Sequence, residues 1–545
     1  MKMHVVLISV VALAVTTTAA ASTTSDCSST TGRCSASTGH GSKLHSTESF
    51  ERRRVQLPEK PNIIIVYGDD VGYGDLNGYG HPTSSTPNLD RMISEGMRLT
   101  QFYSAAPVCS PSRASLMTGR LYPRTGVYSG KPGTFNSTGL SVFSPFSNGG
   151  MNLSEITVAQ MLKPLGYATG ALGKWHLGIK TQYLPASRGF DSYFGVPMTQ
   201  NECTSNVESN NKFGPCPTMH NNTVAVQPTD VLNIDAAYVD NIKEFMTVHR
   251  EGPFFFYYAS HHTHMPQFAA PGIRNTTMRG LFGDSLAELD WSVGQILDHI
   301  VELGIQNNTL VMFSADNGPE LSDVDLGGEQ GQLKCGKGTT YEGGVREPGI
   351  FWWPSVIEPG SISYALGSTL DLSVTAVSLA GGKPPQDRAT DGFDLTPVLT
   401  GQSENGPRDH MLYYSGHILM AIRLHQYKAH FYTKGSHCRS TYHDQDCWDA
   451  TGLQQHDPPL LFDVETDTKE RFPLDVTQKE YSAVLAGIVQ LKAEHGKGMT
   501  FAPGEMNMGG DEMNFPCCNP ACTPRNACCA CPKREASQHK ATNAV

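Results

Sequence analysis

Four strongly apolar runs, each ending abruptly in a cluster of polar residues, are the feature that most limits how this chain can fold. Uninterrupted apolar runs of this length are typical of strands covered on both faces, as in a parallel sheet. The runs and the clusters that follow them are Asn62–Tyr67 before Asp69-Asp70, Tyr167–Leu172 before Lys174-Trp175-His176, Phe254–Tyr258 before His261-His262-Thr263-His264, and Leu310–Phe313 before Asp316-Asn317. The pattern predicts a buried, mostly parallel sheet.

Helical patterns lie between and beside these runs, at Thr86–Glu95, Ile156–Leu165, Asp235–His249 and Ser285–Leu303. Strands that alternate with helices predict an α/β fold in which a large, mostly parallel sheet is flanked by helices. In such folds ligands bind beyond the carboxyl ends of the strands. We therefore expect the four polar clusters to meet at one site, although they are far apart in the sequence.

The pattern changes after about residue 405, where several short strands and a closing helix are predicted. These segments are Met411–Tyr414, Met420–Arg423, Tyr427–Thr433, Leu460–Val464 and the helix Tyr481–His495. We expect a smaller C-terminal domain built on an antiparallel sheet and a helix. The predicted division is a signal peptide at 1–22, a flexible Ser/Thr-rich leader at 23–57, a main domain at 58–404 and the smaller domain at 405–545.

The N-terminal segment and the cysteines indicate the secretory pathway, with a lysosomal or extracellular destination. Lys2, the short apolar run Val5–Val15 and the small residues Ala19–Ser22 are typical of a cleaved signal peptide. Fourteen cysteines suit an oxidising compartment. Five glycosylation sequons point the same way, at Asn136, Asn152, Asn221, Asn275 and Asn307. No apolar stretch is long enough to predict a transmembrane segment.

The net charge of −11 argues against nucleic acid as a partner, because there is no basic surplus to neutralise phosphates. A local basic pocket for a small anion stays open. The C-terminal tail holds six closely spaced cysteines, Cys517, Cys518, Cys522, Cys528, Cys529 and Cys531. They could form a zinc knot, but secretion favours a local disulfide knot.

Four oxygen-bearing side chains follow two of the predicted strands and suggest a metal site. They are Asp69, Asp70, Asp316 and Asn317, with no soft ligand beside them. Hard oxygen ligands suit Ca²⁺ or Mg²⁺ better than zinc. The alternative is a pair of ordinary Asx turns.

Cationic and imidazole side chains accompany the other clusters. Lys174 leaves an apolar strand, where an anionic ligand or an acidic partner would offset the cost of a buried charge. The histidines at 261, 262 and 264 suggest a general acid, or a transition-metal cluster for which no Cys or carboxylate lies nearby in the sequence. Lys337 lies in a glycine-rich loop that lacks P-loop spacing but could reach an anion.

The run from Cys109 to Arg120 matches C-x-P-S-R-x-x-x-[LM]-T-G-R at every fixed position. This run resembles the signature of the sulfatase family, a branch of the alkaline-phosphatase-like superfamily. The clusters at the strand ends and the segment Gly338–Pro348 also resemble sulfatase motifs. The alternative interpretation is a buried or disulfide-bonded cysteine in a Ser/Pro turn.

The resemblance implies a mechanism, residue by residue. Cys109 would be oxidised before folding, by a formylglycine-generating enzyme, to formylglycine, whose hydrate attacks sulfur. The other implied roles are Ca²⁺ binding by Asp69, Asp70, Asp316 and Asn317, stabilisation of the hydrate by Arg113, sulfate binding by Lys174 and Lys337, protonation of the leaving alcohol by His264, and proton acceptance by His176.

The resemblance is not complete. Thr199 stands where the family pattern suggests a substrate-binding serine, so the hydroxyl is kept and a methyl is added. The resemblance also suggests disulfides between Cys203 and Cys216 and between Cys335 and Cys447, which would leave Cys438 as a candidate free thiol.

The expected activity is hydrolysis of small-molecule or glycolipid sulfate esters, including aryl sulfates, sulfated sugars and glycolipids such as cerebroside 3-sulfate. Two alternatives stay open. One is a phosphatase or phosphodiesterase of the same superfamily, although Cys109 and the all-oxygen metal set speak against it. The other is a secreted glycoprotein that keeps the fold without catalysis. Assembly into a homo-oligomer is also left open.

Overall fold

The computed structural model describes residues 56–134, 141–203, 214–321, 327–436, 444–448, 452–519, 521–523 and 529. The predicted signal peptide, the leader up to residue 55, Asn136, Cys438, Cys528 and Cys531 lie outside the described residues. The predicted domain boundaries at 22, 57 and 404 stay predictions.

A sheet of eleven strands forms the larger part of the described structure. Its strands are β1 (Asn62–Gly68), β2 (Met97–Tyr103), β3 (Ala168–Gly173), β4 (Ser192–Gly195), β5 (Thr218–His220), β6 (Thr223–Val226), β7 (Phe254–Ala259), β8 (Thr309–Ala315), β9 (Arg346–Trp352), β10 (Ser361–Ser363) and β11 (Gly367–Ser368). Their order is β10-β2-β9-β8-β1-β7-β3-β4-β5-β6, with β11 also beside β2.

The centre of this sheet is parallel. Strands β8, β1, β7, β3 and β4 lie side by side in that order, and each pairs in parallel with the next. Antiparallel pairs join β9 to β2 and β8, and join β4, β5 and β6 to one another. The four predicted apolar runs are β1, β3, β7 and β8, so the expected α/β fold is confirmed.

Helices surround the sheet, and the described helices are α1 (Pro87–Glu95), α2 (Cys109–Thr118), α3 (Val158–Leu162), α4 (Ile234–His249), α5 (Gly280–Glu302), α6 (Glu342–Val345), α7 (Thr369–Leu379), α8 (Thr396–Leu399) and α9 (Lys479–Gly498). The predicted helix 156–165 is shorter than expected, because the chain tightens into a 3₁₀ turn at Lys163–Leu165. No helix among the described residues is long and apolar enough to span a bilayer.

The apolar character of β1 follows from burial on both of its faces. Ile63, Ile65 and Tyr67 belong to one hydrophobic core, and Ile64 and Val66 belong to another. Successive side chains of a strand point to opposite faces, so these are the two sides of the sheet. A strand that packs on both sides carries apolar residues at every position rather than at alternate ones.

The C-terminal region forms a separate four-stranded antiparallel sheet, as predicted. Its strands are β12 (His410–Ser415), β13 (Ile418–Leu424), β14 (Tyr427–Thr433) and β15 (Gln454–Asp463), in that order. Helix α9 contributes Ile488 to a core that also contains Ile422, Ala429 and Leu461. Strand β15 begins at Gln454, six residues before the predicted start at residue 460. The sequence pattern did not predict this part of the strand, because two prolines, Pro458 and Pro459, argue against a strand there.

A buried charge network joins the two sheets. Lys428 Nζ on β14 lies 3.0 Å from Glu342 Oε1 and 3.2 Å from Glu470 Oε1. His430 Nε2 lies 2.6 Å from Glu470, and the Tyr103 hydroxyl at the end of β2 donates to Glu342 at 2.6 Å. Because these charges are fully buried, each depends on its partners rather than on water.

Three disulfides are described, Cys203–Cys216, Cys335–Cys447 and Cys517–Cys529. Cys518 and Cys522 are also disulfide-bonded, which favours the disulfide knot over the zinc knot in the tail. Of the described sequons, Asn275 and Asn307 are exposed, whereas Asn221 accepts a hydrogen bond from the Tyr193 N–H. Glycosylation at these positions stays a prediction.

Candidate active site

The polar clusters meet at one edge of the large sheet, as the parallel topology predicts. Asp69-Asp70, Lys174, His261–His264 and Asp316-Asn317 follow β1, β3, β7 and β8, which end side by side. Lys337 reaches the same place from the loop before α6. Gly318 permits the contact between α6, which follows this loop, and the segment after β8, since a Cβ atom there would lie 1.9 Å from the Gly343 carbonyl oxygen.

Cys109 is the first residue of α2 and lies inside this cluster. Its Sγ is 3.6 Å from Asp69 Oδ1, and its side chain is buried. Among the described cysteines it is the one that forms no disulfide. Burial raises the pKa of the Cys109 thiol, because the interior solvates a thiolate poorly. Of the alternative interpretation, a buried or disulfide-bonded cysteine in a Ser/Pro turn, the burial is found, but the disulfide and the turn are wrong, because Cys109 forms no disulfide and begins a helix.

Three cations pair with the carboxylates of the cluster, and one of them, Arg113, pairs with both Asp316 and, at 3.6 Å, Asp69. Lys174 Nζ lies 2.6 Å from Asp69 Oδ2, and Lys337 Nζ lies 2.7 Å from Asp70 Oδ2. Arg113 belongs to α2, a helix in which every residue is buried, and its Nη2 is 2.7 Å from Asp316 Oδ2. Lys174 thus finds the acidic partner that its burial requires.

The charges of the cluster depend strongly on one another. Burial opposes ionisation of Asp69, but Lys174, His264 and Arg113 together hold the pKa of that carboxyl well below its usual range. Burial and the nearby charge of Asp69 raise the pKa of the Asp316 carboxyl to about 7. Gathering carboxylates in the interior is therefore costly, and a bound cation would offset that cost.

The four predicted metal ligands fit a hard cation. Asp69, Asp70, Asp316 and Asn317 are all at most 2% exposed. Asn317 Nδ2 donates to Asp70 Oδ1 at 2.7 Å, and no described residue donates a hydrogen bond to the buried Asn317 Oδ1. A buried acceptor without a donor, next to three carboxylates, is the environment that a calcium or magnesium ion satisfies.

Two histidines of the site have defined ring orientations. His264 Nδ1 donates to the Met265 carbonyl oxygen at 2.6 Å, which leaves Nε2 facing Asp70 Oδ2 at 3.8 Å. His176 Nε2 lies 3.1 Å from the Phe143 carbonyl oxygen. Burial lowers the pKa of both imidazoles, with Lys337 adding to the effect at His264 and Lys174 at His176.

The neighbouring His262 lies in a carboxylate cluster that the sequence did not reveal. Its Nε2 is 3.0 Å from Asp235 Oδ2 and 3.4 Å from Glu288 Oε2, and its Nδ1 is 2.8 Å from Ser285 Oγ. The expectation that no carboxylate lies near these histidines is wrong for the folded chain. Helix α4 brings Asp235 and helix α5 brings Glu288 to His262. Both ring nitrogens of His262 therefore have partners within the fold, Ser285 at Nδ1 and Asp235 at Nε2.

Thr199 lies beside the site, at the start of a 3₁₀ turn formed by Gln200–Glu202. Its hydroxyl donates to Asn201 Oδ1 at 3.1 Å. The turn contacts the loops of both His264 and His176, the first through Gln200 and the second through Glu202. Neither of these two contacts was predicted from the sequence. No short motif marks them, since they approach the histidines only after folding.

Comparisons with known proteins agree with this geometry. The sulfatase family model matches residues 61–382, and the model of the C-terminal region of aryl-sulfatase matches residues 406–531. The chain belongs to the sulfatase family. Tyr257–Ser260 and the six-cysteine tail are the sequence features that point to arylsulfatase A within it. That similarity is confirmed by arylsulfatase A of Bos taurus, 42% identical over 499 residues that span 87% of this chain and 96% of the relative.

Other sulfatases are also similar. N-acetylgalactosamine-6-sulfatase of Mus musculus is 40% identical over 470 residues, covering 83% of this chain and 89% of the relative. The PsFucS1 sulfatase from Pseudoalteromonas sp. superposes with a TM-score of 0.70 at 25% identity, covering 82% of this chain and 92% of the other. This sulfatase is a sulfuric ester hydrolase, and the family implies a metal and a formylglycine at its active site.

Proposed function

We propose that this sulfatase hydrolyses sulfate monoesters with a formylglycine derived from Cys109 and one bound Ca²⁺. The observation that carries the proposal is the position of Cys109 Sγ, 3.6 Å from Asp69 Oδ1 within a buried group of carboxylates, lysines and histidines. Formylglycine at this position would, once hydrated, supply a geminal diol: one oxygen could bond to sulfur as the bond to the leaving alcohol breaks, and the other could re-form the aldehyde as sulfate leaves. A serine hydroxyl lacks the second oxygen.

The charged residues of the site would bind the substrate. Sulfate esters are anionic, so a nucleophile approaches them against electrostatic repulsion. Lys174 and Lys337 would bind sulfate oxygens and offset that repulsion. Asp69, Asp70, Asp316 and Asn317 would hold Ca²⁺, a choice supported by their oxygen-only chemistry. Arg113 would orient Asp316 and stabilise the hydrate.

Two histidines would move protons on opposite sides of the reaction. His264 would protonate the leaving alcohol from Nε2, since its Nδ1 is held by the Met265 carbonyl. A bound sulfate ester would raise the pKa of this imidazole, because its negative charge stabilises the protonated ring. His176 would accept a proton at Nδ1, and Thr199 would contribute to the wall of the site.

The substrates we propose are aryl sulfates, sulfated sugars or glycolipids such as cerebroside 3-sulfate, handled in the lysosome or outside the cell after passage through the secretory pathway. The relatives that include an arylsulfatase A and an N-acetylgalactosamine-6-sulfatase support this range. A formylglycine-generating enzyme would be the maturation partner.

The test combines the mass of the tryptic peptide that contains Cys109 with turnover of a chromogenic aryl sulfate. We expect an aldehyde at position 109, turnover of the sulfate ester far above that of the matching phosphate ester, and no turnover by the Cys109→Ala variant. A plain thiol in all the secreted protein, together with absent sulfate release, would refute the proposal. A panel of sulfated glycolipid, sulfated sugars and steroid sulfate would then identify the substrate.

A further inference from the structure

The 3₁₀ turn Gln200–Glu202 contacts the loops of both active-site histidines. Gln200 Nε2 donates to the His264 carbonyl oxygen at 2.8 Å, and Glu202 Oε2 lies 3.6 Å from His176 Nε2. The Cys203–Cys216 disulfide follows the turn directly and fixes its end. A turn held in this way keeps the Glu202 carboxylate close to the His176 ring.

The hydrogen bond to Phe143 defines which nitrogen of His176 can take a proton. A backbone carbonyl oxygen only accepts, so His176 Nε2 carries the hydrogen that is donated to Phe143. In the neutral ring Nδ1 then holds the lone pair. His176 Nδ1 is buried, and no described residue forms a hydrogen bond with it. The base is therefore Nδ1, and Glu202 lies at the opposite nitrogen.

The surroundings of His176 oppose its positive charge. Burial and the nearby cations Lys174 and Arg113 hold its pKa well below the usual range, with His264 acting in the same direction and Asp69 opposing it. Among the described residues, Glu202 is the acidic residue within 4 Å of the ring.

The carboxyl group of Glu202 is itself poorly solvated. Burial raises its pKa to about 7, although the Thr199 N–H and Lys174 act against the rise. A carboxylate and an imidazolium that are each unfavourable alone stabilise one another when adjacent. A buried acid stabilises the charge of a histidine base in hydrolases that use a Ser-His-Asp triad, but there the acid accepts the ring N–H, which here is accepted by Phe143.

We propose that Glu202 is a positioning residue of His176: its carboxylate favours the ring form that donates from Nε2 to the Phe143 carbonyl, and stabilises the positive charge that the ring gains when Nδ1 accepts a proton. The proton enters at Nδ1, the hydrogen on Nε2 stays in place, and the resulting imidazolium is paired with the carboxylate. The inference rests on the proposed function for its catalytic meaning, but the pairing itself concerns only the residues of this chain.

A purely structural role for Glu202 makes a different prediction. Glu202 Oε2 also accepts the Thr199 N–H at 3.3 Å and so helps to cap the turn. Glu202→Gln keeps an acceptor oxygen for this bond and removes only the charge. Glu202→Asp keeps the charge on a shorter side chain. Glu512→Gln, at an exposed position, removes one negative charge elsewhere and serves as the matched control.

The first measurement follows the ¹⁵N signals of the His176 ring in the full-length protein labelled with [¹⁵N]histidine, from about pH 5 to about pH 8. Loss of the signal in His176→Gln assigns it. Because the ring is neutral in this range, we expect Glu202→Gln to weaken the Nε2–H signature and to increase the share of rings that carry their hydrogen on Nδ1, and Glu512→Gln to leave the signals unchanged. Ring signals of Glu202→Gln that coincide with those of the wild type throughout would overturn the proposal.

The second measurement is steady-state turnover of an aryl sulfate. We expect Glu202→Gln to lower kcat at least about tenfold while KM stays within about twofold, and Glu202→Asp to recover part of the loss. Wild-type kcat in Glu202→Gln would overturn the catalytic part of the inference. If the wild-type protein itself does not turn over the ester, the proposed function fails, and the ring signals still decide whether Glu202 positions His176.

Discussion

Arg113 directs both its Nε and its Nη2 to the same oxygen of Asp316, Oδ2, at 3.0 and 2.7 Å. From the part of the chain that the structure describes, the other oxygen, Oδ1, receives one long hydrogen bond, 3.3 Å from the Asp70 N–H. The guanidinium therefore fixes the carboxylate while leaving one of its oxygens free to face the other acidic side chains. In this way α2 supplies both the candidate nucleophile and the group that orients a candidate metal ligand.

Arg113→Lys is expected to weaken Ca²⁺ binding about tenfold, because an ammonium cannot reproduce the double contact of the guanidinium. Calcium titration of the metal-free protein measures this. Arg124→Lys is the control, since Arg124 pairs with Asp391 at 3.0 Å outside the site. It should lower the melting temperature without changing calcium affinity. Equal calcium affinity in wild type and Arg113→Lys would contradict the role given to Arg113.

The two lysines of the site should differ when each is replaced by alanine. Lys337 has a side chain 13% exposed, whereas Lys174 is fully buried against Asp69. Lys337→Ala is expected to raise KM for an aryl sulfate about tenfold or more in a folded protein. Lys174→Ala should also cost about 3–5 kcal/mol of unfolding free energy, more than Lys337→Ala, since water can replace the partly exposed Lys337 ammonium beside Asp70 but not the buried Lys174 ammonium beside Asp69. Melting curves measure the loss of stability, and Michaelis kinetics measure the rise in KM. Equal melting temperatures of Lys174→Ala and Lys337→Ala would contradict the predicted difference in stability.

Acid should destabilise the fold through Glu342. Burial opposes its charge, but Lys428 and Arg346 lower the pKa of Glu342 to about 2 in the folded protein from 4.5. A lowered folded-state pKa gives stability that is complete above pH 4.5 and is lost as the pH falls towards 2, on the order of 3 kcal/mol. Urea unfolding at several pH values measures this loss. Glu342→Gln should have a lower free energy of unfolding at neutral pH, and this free energy should change less than that of the wild type between pH 4.5 and pH 2. If the two curves of unfolding free energy against pH ran parallel, Glu342 would not be the residue responsible.

The Cys335–Cys447 disulfide should support both stability and substrate binding. It closes a separation of 112 residues and lies two residues before Lys337. Replacing both cysteines by alanine is expected to cost about 4 kcal/mol and to raise KM, because the Lys337 loop loses its anchor. Replacing Cys517 and Cys529, which are only 12 residues apart, should lower stability less and leave KM unchanged. Denaturant unfolding and kinetics of both variants provide the comparison, and an unchanged KM in the first would remove the link to Lys337.

The sequence could predict that the four polar clusters meet at one site, because each follows a strand that is a continuous apolar run. A strand covered on both faces carries its signal at every residue, as in β1, and parallel strands end at a common edge. The carboxylates, lysines and histidines at those ends could therefore be grouped before any coordinates were known. The roles assigned to these residues stay proposals.

Strand β9 could not be predicted from its sequence pattern. It contains Pro348 and Gly349, two residues that argue against a strand in the middle of a sheet. In the structure the pairing with β2 slips between Leu99 and Phe102, opposite Pro348, so the missing N–H of the proline falls at an irregularity of the ladder. Only the neighbouring strands reveal that position.

The carboxylates that lie beside the histidines could also not be predicted from the sequence. Glu202 meets His176, and Asp235 and Glu288 meet His262, across separations that no local motif encodes. Each of them looks like an ordinary carboxylate of a helix or turn. Their roles arise from burial beside an imidazole, which depends on how helices and loops pack on the finished sheet.

The burial of Cys109 sets the order of events in the life of this protein. A side chain that is 2% exposed at the start of a packed helix offers no access to a second protein. Any enzyme that converts this thiol must therefore act on the nascent chain before β2 and α2 close over it. A copy that folds first would keep its shape and its stability, yet no later encounter could reach its thiol.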